Sequence, residues 1–101
     1  MSFSGKYTIY SSNLNTEIPI SDFGIGGYPH AYLIIATSHY AKLWSGLWLY
    51  CKGDMYTHDL FFEIKSGNNT SLELTSSSCL KFSCEYFTEN DKLFVSVIKM
   101  K

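Results

Sequence analysis

From Cys79 to Tyr86 the side chains alternate one for one. Leu80, Phe82, Cys84 and Tyr86 fall on one side, and Cys79, Lys81, Ser83 and Glu85 on the other. An extended strand, whose side chains point to opposite faces at every step, turns that spacing into one buried and one solvated surface. A helix would scatter the same residues around its whole circumference.

The pattern recurs along the chain in short runs. Lys6–Tyr10 sets Tyr7 and Ile9 against Thr8 and Tyr10, and Leu14–Ile20 places Leu14, Thr16, Ile18 and Ile20 on one face. Pro19 assigns the latter to a sheet edge or a strand end, because proline cannot donate to a ladder. Residues 31–37 are apolar on both faces and read as a central strand that needs cover on each side. Leu47–Cys51, His58–Lys65, Leu72–Thr75 and Lys92–Met100 follow. Gly67-Asn68-Asn69 reads as the turn of a hairpin between the strands on either side of it. The stretch 21–30, with three glycines and a proline, reads as a loop without regular structure. No window of a dozen residues free of turn formers carries a 3.6-residue apolar stripe, and glutamine and arginine are absent.

About eight short strands at intervals of 8–12 residues predict an all-β fold, an antiparallel two-sheet β-sandwich of jelly-roll-like form. The 101 residues make one domain. Surface scaling lets such a chain bury about two-thirds of its unfolded area. Residues 1–30 read as lead-in strands and a glycine-rich loop packed on a core from 31–101. Two strands apolar on both faces exceed what one small monomer can cover, and they predict self-association.

Charge excludes several functions. Eight cations face nine acids, giving a net charge of -1, and every cation is a scattered lysine. Bidentate readout of guanine and phosphate belongs to arginine, so no nucleic-acid partner is expected. The N-terminal MSFSGKYTIY lacks the basic and apolar regions of a signal peptide, and no apolar run is long enough for a membrane span. Cys51, Cys79 and Cys84 are too few for a secreted disulfide framework and read as thiols of a reducing compartment.

No cofactor or metal is expected and the chain reads as non-enzymatic. His30, His39 and His58 lack the close ligand pair of a zinc site. Gly24-Ile25-Gly26-Gly27 lacks both the spacing and the following helix of a phosphate loop, and the serines lack a nucleophile elbow. Glu63 and Glu73 flank the expected hairpin and read as solvent-facing neighbours across it. The aromatic residues between positions 28 and 56 are the better lead, because aromatics anchor interfaces and stack on sugars. Tyr28, His30, His39, Tyr40, Trp44, Trp48 and Tyr56 are the candidate ligand- or partner-binding residues.

AYLIIATSHY, SGLWLYCKGD, HDLFFEIK and the closing LFVSVIKMK, spanning residues 31–101, resemble the small all-β tip domains of bacteriophage tail fibres. That resemblance implies a homotrimer on the virion surface that recognises a host cell-surface glycan or protein. The alternatives are a small phage or bacterial protein, cytoplasmic in the producing cell, that binds and blocks a host or defence protein, and a small hydrolase or metal-binding protein.

Overall fold

In the computed structural model the alternating runs become eight strands: β1 (Ser2–Tyr10), β2 (Ile18–Pro19), β3 (Ala31–Thr37), β4 (Gly46–Cys51), β5 (Leu60–Ser66), β6 (Thr70–Thr75), β7 (Cys79–Cys84) and β8 (Lys92–Met100). The structure describes residues 2–26, 29–38, 44–53, 58–67, 69–75 and 78–100. Two antiparallel sheets result, a five-stranded one in the order β1-β8-β3-β4-β5 and a three-stranded one in the order β2-β7-β6. First pairs with last and second with second-last, β1 with β8 and β2 with β7, the nesting that makes the arrangement jelly-roll-like. Among the described residues, no helix is long and apolar enough to cross a membrane.

The core lies between the sheets and is filled by one parity of each strand. Tyr32, Ile34 and Ala36 of β3, Trp48 and Tyr50 of β4, and Leu93, Val95 and Val97 of β8 point inward. They meet Ile18, Leu72, Leu80 and Phe82 of the small sheet. Phe82 stands edge-on to Trp48, with ring centroids 6.1 Å apart. The fully buried large side chains among the described residues, each worth about 1.5–3 kcal/mol on transfer from water, supply the main driving force for folding.

Two glycines bring the N-terminal segment onto this core. A Cβ on Gly5 would lie 2.4 Å from the Phe23 carbonyl oxygen, and one on Gly24 would lie 2.3 Å from that of Ser4. Their absence lets β1 touch the backbone of the 3-10 turn Ile20–Phe23. Gly24 closes that turn at φ 79°, in the left-handed region that glycine enters without cost. A bulge at Ser4 interrupts the β1–β8 ladder, and the Ser4 hydroxyl donates to the Gly24 carbonyl.

Four sequence expectations are corrected here. Leu14–Ile20 is not one strand: only Ile18–Pro19 pairs, as an edge, while Asn15 turns at φ 59° and donates its N–H to the Phe82 carbonyl. The 21–30 stretch is not structureless, since it completes the 3-10 turn and buries Phe23 and Ile25. Gly67 and Asn69 do not link a paired hairpin, because β5 belongs to the large sheet and β6 to the small one. Glu63 and Glu73 therefore do not face each other across a hairpin, and Glu73 instead lies 3.6 Å from Lys81 on β7.

Candidate functional site

The two sheets treat their outer faces differently. The small sheet turns Ser71, Glu73, Lys81 and Ser83 outward, a polar surface that water covers without penalty. The large sheet does the opposite. Its inward parity fixes the outward one, and that row reads Ile98 and Met100 on β8, Leu33 and Ile35 on β3, Leu47 and Leu49 on β4, and Leu60 and Phe62 on β5. Register aligns them across the sheet: Ile98 beside Leu33, Leu33 beside Leu49, and Leu49 beside Phe62. Each strand thus lends apolar surface to its neighbour, leaving the middle residues half-covered.

β5 is the last strand of the sheet, and Leu60, Phe62 and Ile64 are 54%, 49% and 53% exposed. A bulge near Ile64 keeps β5 from presenting a regular ladder to another edge. An apolar hollow of about 390 Å³, lined in part by Ile35, Leu47 and Lys65, notches one end of the face. The β1 side is mixed: Phe3, 60% exposed, extends the apolar row beside Ile98, and Tyr10 and Phe94 are also exposed there, interspersed with lysines. Lys6 and Lys92 lie there, their ammonium groups 5.7 Å from the Phe3 ring centre and 5.9 Å from that of Tyr10. No carboxylate stands on the outward row among the described residues.

A second feature is an open cleft of about 640 Å³ where the β5–β6 connection passes β7. Asn15, Asn69, Ser71, Ser83 and Glu85 supply its hydrogen-bonding groups. Ser83 donates its hydroxyl to Asn15 Oδ1 at 2.7 Å, fixing the amide's orientation. Cys84 also borders the cleft; burial pushes its thiol up to about 11, with a hydrogen bond to Thr70 acting the other way. Tyr86 follows Glu85 in the turn. It is 79% exposed and sits at φ 62°. The alternation places it with Leu80 and Phe82, but the left-handed backbone rotates it out of that row.

A third cluster joins β4 to β5. The buried Tyr50 hydroxyl donates to Asp59 at 2.5 Å, and the Gly53 N–H donates to the other carboxylate oxygen at 2.7 Å, with Lys52 Nζ 3.4 Å away. Burial by itself would raise the Asp59 carboxyl, but the hydrogen bonds from Tyr50 and Gly53 and the Lys52 charge outweigh it and hold the group below the ordinary aspartate value. Burial first, and then the Asp59 carboxylate, push the Tyr50 phenol far above its usual range. A phenol held neutral beside a held carboxylate is a fastening for the β4–β5 loop.

The aromatic candidates divide. Trp44 and Trp48 are core residues and not surface anchors, which corrects their assignment to a binding site. Trp44 is 3% exposed, donates Nε1–H to the Glu85 carbonyl at 2.8 Å and packs on Phe87. Trp48 is fully buried over Gly46, where no Cβ competes for the space. His30 is half-buried, edge-on to Tyr32, and its carbonyl accepts from the Lys52 N–H. Tyr28, His39, Tyr40 and Tyr56 lie outside the described residues. Among the described candidates, Trp44 and Trp48 lie in the core and His30 is half-buried beside Tyr32. Leu60, Phe62 and Ile64 were legible as an alternating row, but β5 is apolar at Phe61 too, so sequence did not say which parity faces out.

No protein-family description, curated protein or solved structure matches this chain.

Proposed function

We propose that this protein is a binding or structural module without enzymatic activity, and that the outer face of its large sheet is its contact surface. The observation that carries the reading is the uninterrupted apolar row from Ile98 through Leu33 and Leu49 to Phe62. Monomers seldom keep an apolar patch of more than a few hundred Å² in water unless it meets something. The polar outer face of the small sheet supplies the internal contrast.

Cys51 tests it. This thiol stands on the outward row of β4 beside Ala31 and Leu60, whereas Cys79 lies on the small sheet. In the assembly as isolated from its own source, Cys51 is expected to alkylate at least about tenfold more slowly than Cys79, the gap closing in denaturant. Equal rates in the native assembly would overturn the reading.

The cleft favours an added recognition role. Tyr86 holds an exposed aromatic ring on left-handed backbone, a conformation that costs about 1–2 kcal/mol for a non-glycine residue and concentrates at functional sites. Tyr86 follows the cleft-lining Glu85 in the chain, and an exposed ring next in sequence to the cleft's amides and hydroxyls suits a polyol such as a cell-surface glycan, which presents hydroxyls at its edges and a C–H face for stacking. That is the receptor chemistry implied by the fibre-tip resemblance, and on that reading the chain works at a virion surface. A glycan array probed with wild type and with Tyr86→Ala decides it: binding lost in the variant supports recognition here, and no binding, or equal binding by both, removes it.

A further inference from the structure

We infer that the occupant of the apolar outer face is a second copy of this chain, packed face to face about a two-fold axis that lies in the interface, parallel to the strands, between β3 and β4. The inference rests on the outer face being the contact surface and adds what meets it.

Area comes first. Strands stand about 4.8 Å apart and rise about 3.4 Å per residue. The four strands that face the partner, six or seven residues each, therefore present roughly 400–450 Å² in projection, and more once side-chain relief is counted. Two such faces bury roughly 1,000 Å² or more together, the size at which a specific interface stands on its own.

Shape and polarity select the partner. Two flat sheet faces pack about 10 Å apart with interdigitating side chains, as the inner faces of any β-sandwich do. The centre of this face carries no charge, so it offers nothing by which a charged partner would be chosen. A second copy of the face matches it in extent and polarity.

Placement of the axis follows from where the lysines stand. Phe3 carries the row onto β1, but Lys6 on β1 and Lys65 on β5 stand at one level of the register, and an axis running along β3 would oppose them. The midline of β8, β3, β4 and β5, between β3 and β4, avoids that. Rotation about that line sets β3 over the partner's β4 and β8 over the partner's β5. The exposed Leu60 and Phe62 then meet Ile98 and Met100. β1 stays at the rim on opposite sides of the dimer, which leaves Lys6 in water and keeps its two copies apart. An axis perpendicular to the strands would instead set β1 against β1 and bring like charges together. The expected trimer needs two different patches per subunit, and a single broad face is covered in full only by its two-fold mate.

Sedimentation velocity across a concentration series, on wild type and on Leu60→Lys/Phe62→Lys, tests this. Both positions are about half exposed on an edge strand, so the folded chain tolerates lysine there. Wild type is expected at twice the 11.5 kDa chain mass. The double variant is expected to be a folded monomer by circular dichroism, its association weakened about 100-fold or more by charges buried without partners. Ile64→Lys is the fallback if the double variant fails to fold, and Glu89→Lys, on an exposed turn, should leave the mass unchanged. Wild type monomeric to about 100 µM overturns the second copy. A trimer that the lysines dissociate keeps the contact surface and overturns the two-fold axis. An oligomer indifferent to the lysines overturns both the inference and the surface it rests on.

Discussion

Gly46→Ala offers a quantitative test of how the core is built. Gly46 opens β4 beneath the indole of Trp48, and an added Cβ would fall 2.1 Å from Cη2 and 2.6 Å from Cζ2. Carbon atoms sit comfortably at about 3.5–4.0 Å, so the ring must retreat by roughly 1.4 Å or more. It has nowhere to go, being fully buried with Phe82 across the sheet interface. Overpacking of this kind costs about 1–3 kcal/mol. Alanine regains about 0.4–1 kcal/mol by restricting the unfolded chain. The net loss is about 1–2 kcal/mol, or several degrees in Tm for a domain of this size.

The control is the same substitution at Gly26, where nothing lies within 4 Å of the added Cβ. Gly26→Ala is expected to be neutral or stabilising by up to about 1 kcal/mol. Urea unfolding at one fixed protein concentration reads both, since self-association makes midpoints concentration-dependent. Trp48→Phe removes the benzo ring that the new methyl strikes, so it should cancel much of the Gly46→Ala loss in a double-mutant cycle. Equal effects at the two glycines, or a cycle without coupling, would refute the packing argument.

Two further outcomes are expected. Asp59 titrates below its unfolded value, so the unfolded chain binds the extra proton in acid: the stabilisation is present above about pH 4 and disappears as pH falls through the folded value. Urea midpoints between pH 7 and 2.5 should show a steeper acid loss in wild type than in Asp59→Asn, and parallel curves would contradict the assignment. Tyr86→Gly should hold or raise stability by up to about 1 kcal/mol, because glycine accepts φ 62° freely; a clear loss in thermal melts would mean that the ring packs on something in the folded chain.

Much of this architecture is legible in the sequence because it is local. The alternation from Leu80 to Cys84 yields β7 with the correct face inward, and the doubly apolar run 31–37 yields the middle strand of the large sheet. What escapes is set at a distance. Gly67-Asn68-Asn69 has the chemistry of a hairpin turn, but whether the next strand pairs or crosses to the other sheet depends on β7, which forms a ladder with β6. Tyr86 continues the alternation by two residues while the backbone has already turned. Trp44 and Trp48 look like anchors in a glycine- and serine-bearing segment, yet Gly46 is what admits the Trp48 indole to the core, and Trp44 packs on Phe87. The outer face was half legible: strands apolar on both sides implied cover, while its extent became visible only when register set Leu33, Leu49, Phe62 and Ile98 side by side.

The face-to-face dimer is tested most directly by isotope-filtered NMR on a mixture of labelled and unlabelled chains, which detects only contacts between molecules. The account predicts intermolecular methyl contacts joining Leu33 and Ile35 of one chain to Leu47 and Leu49 of another, with Ile98 reaching Phe62. Intermolecular contacts confined to the small sheet, or none at concentrations where the chain is folded, would contradict it.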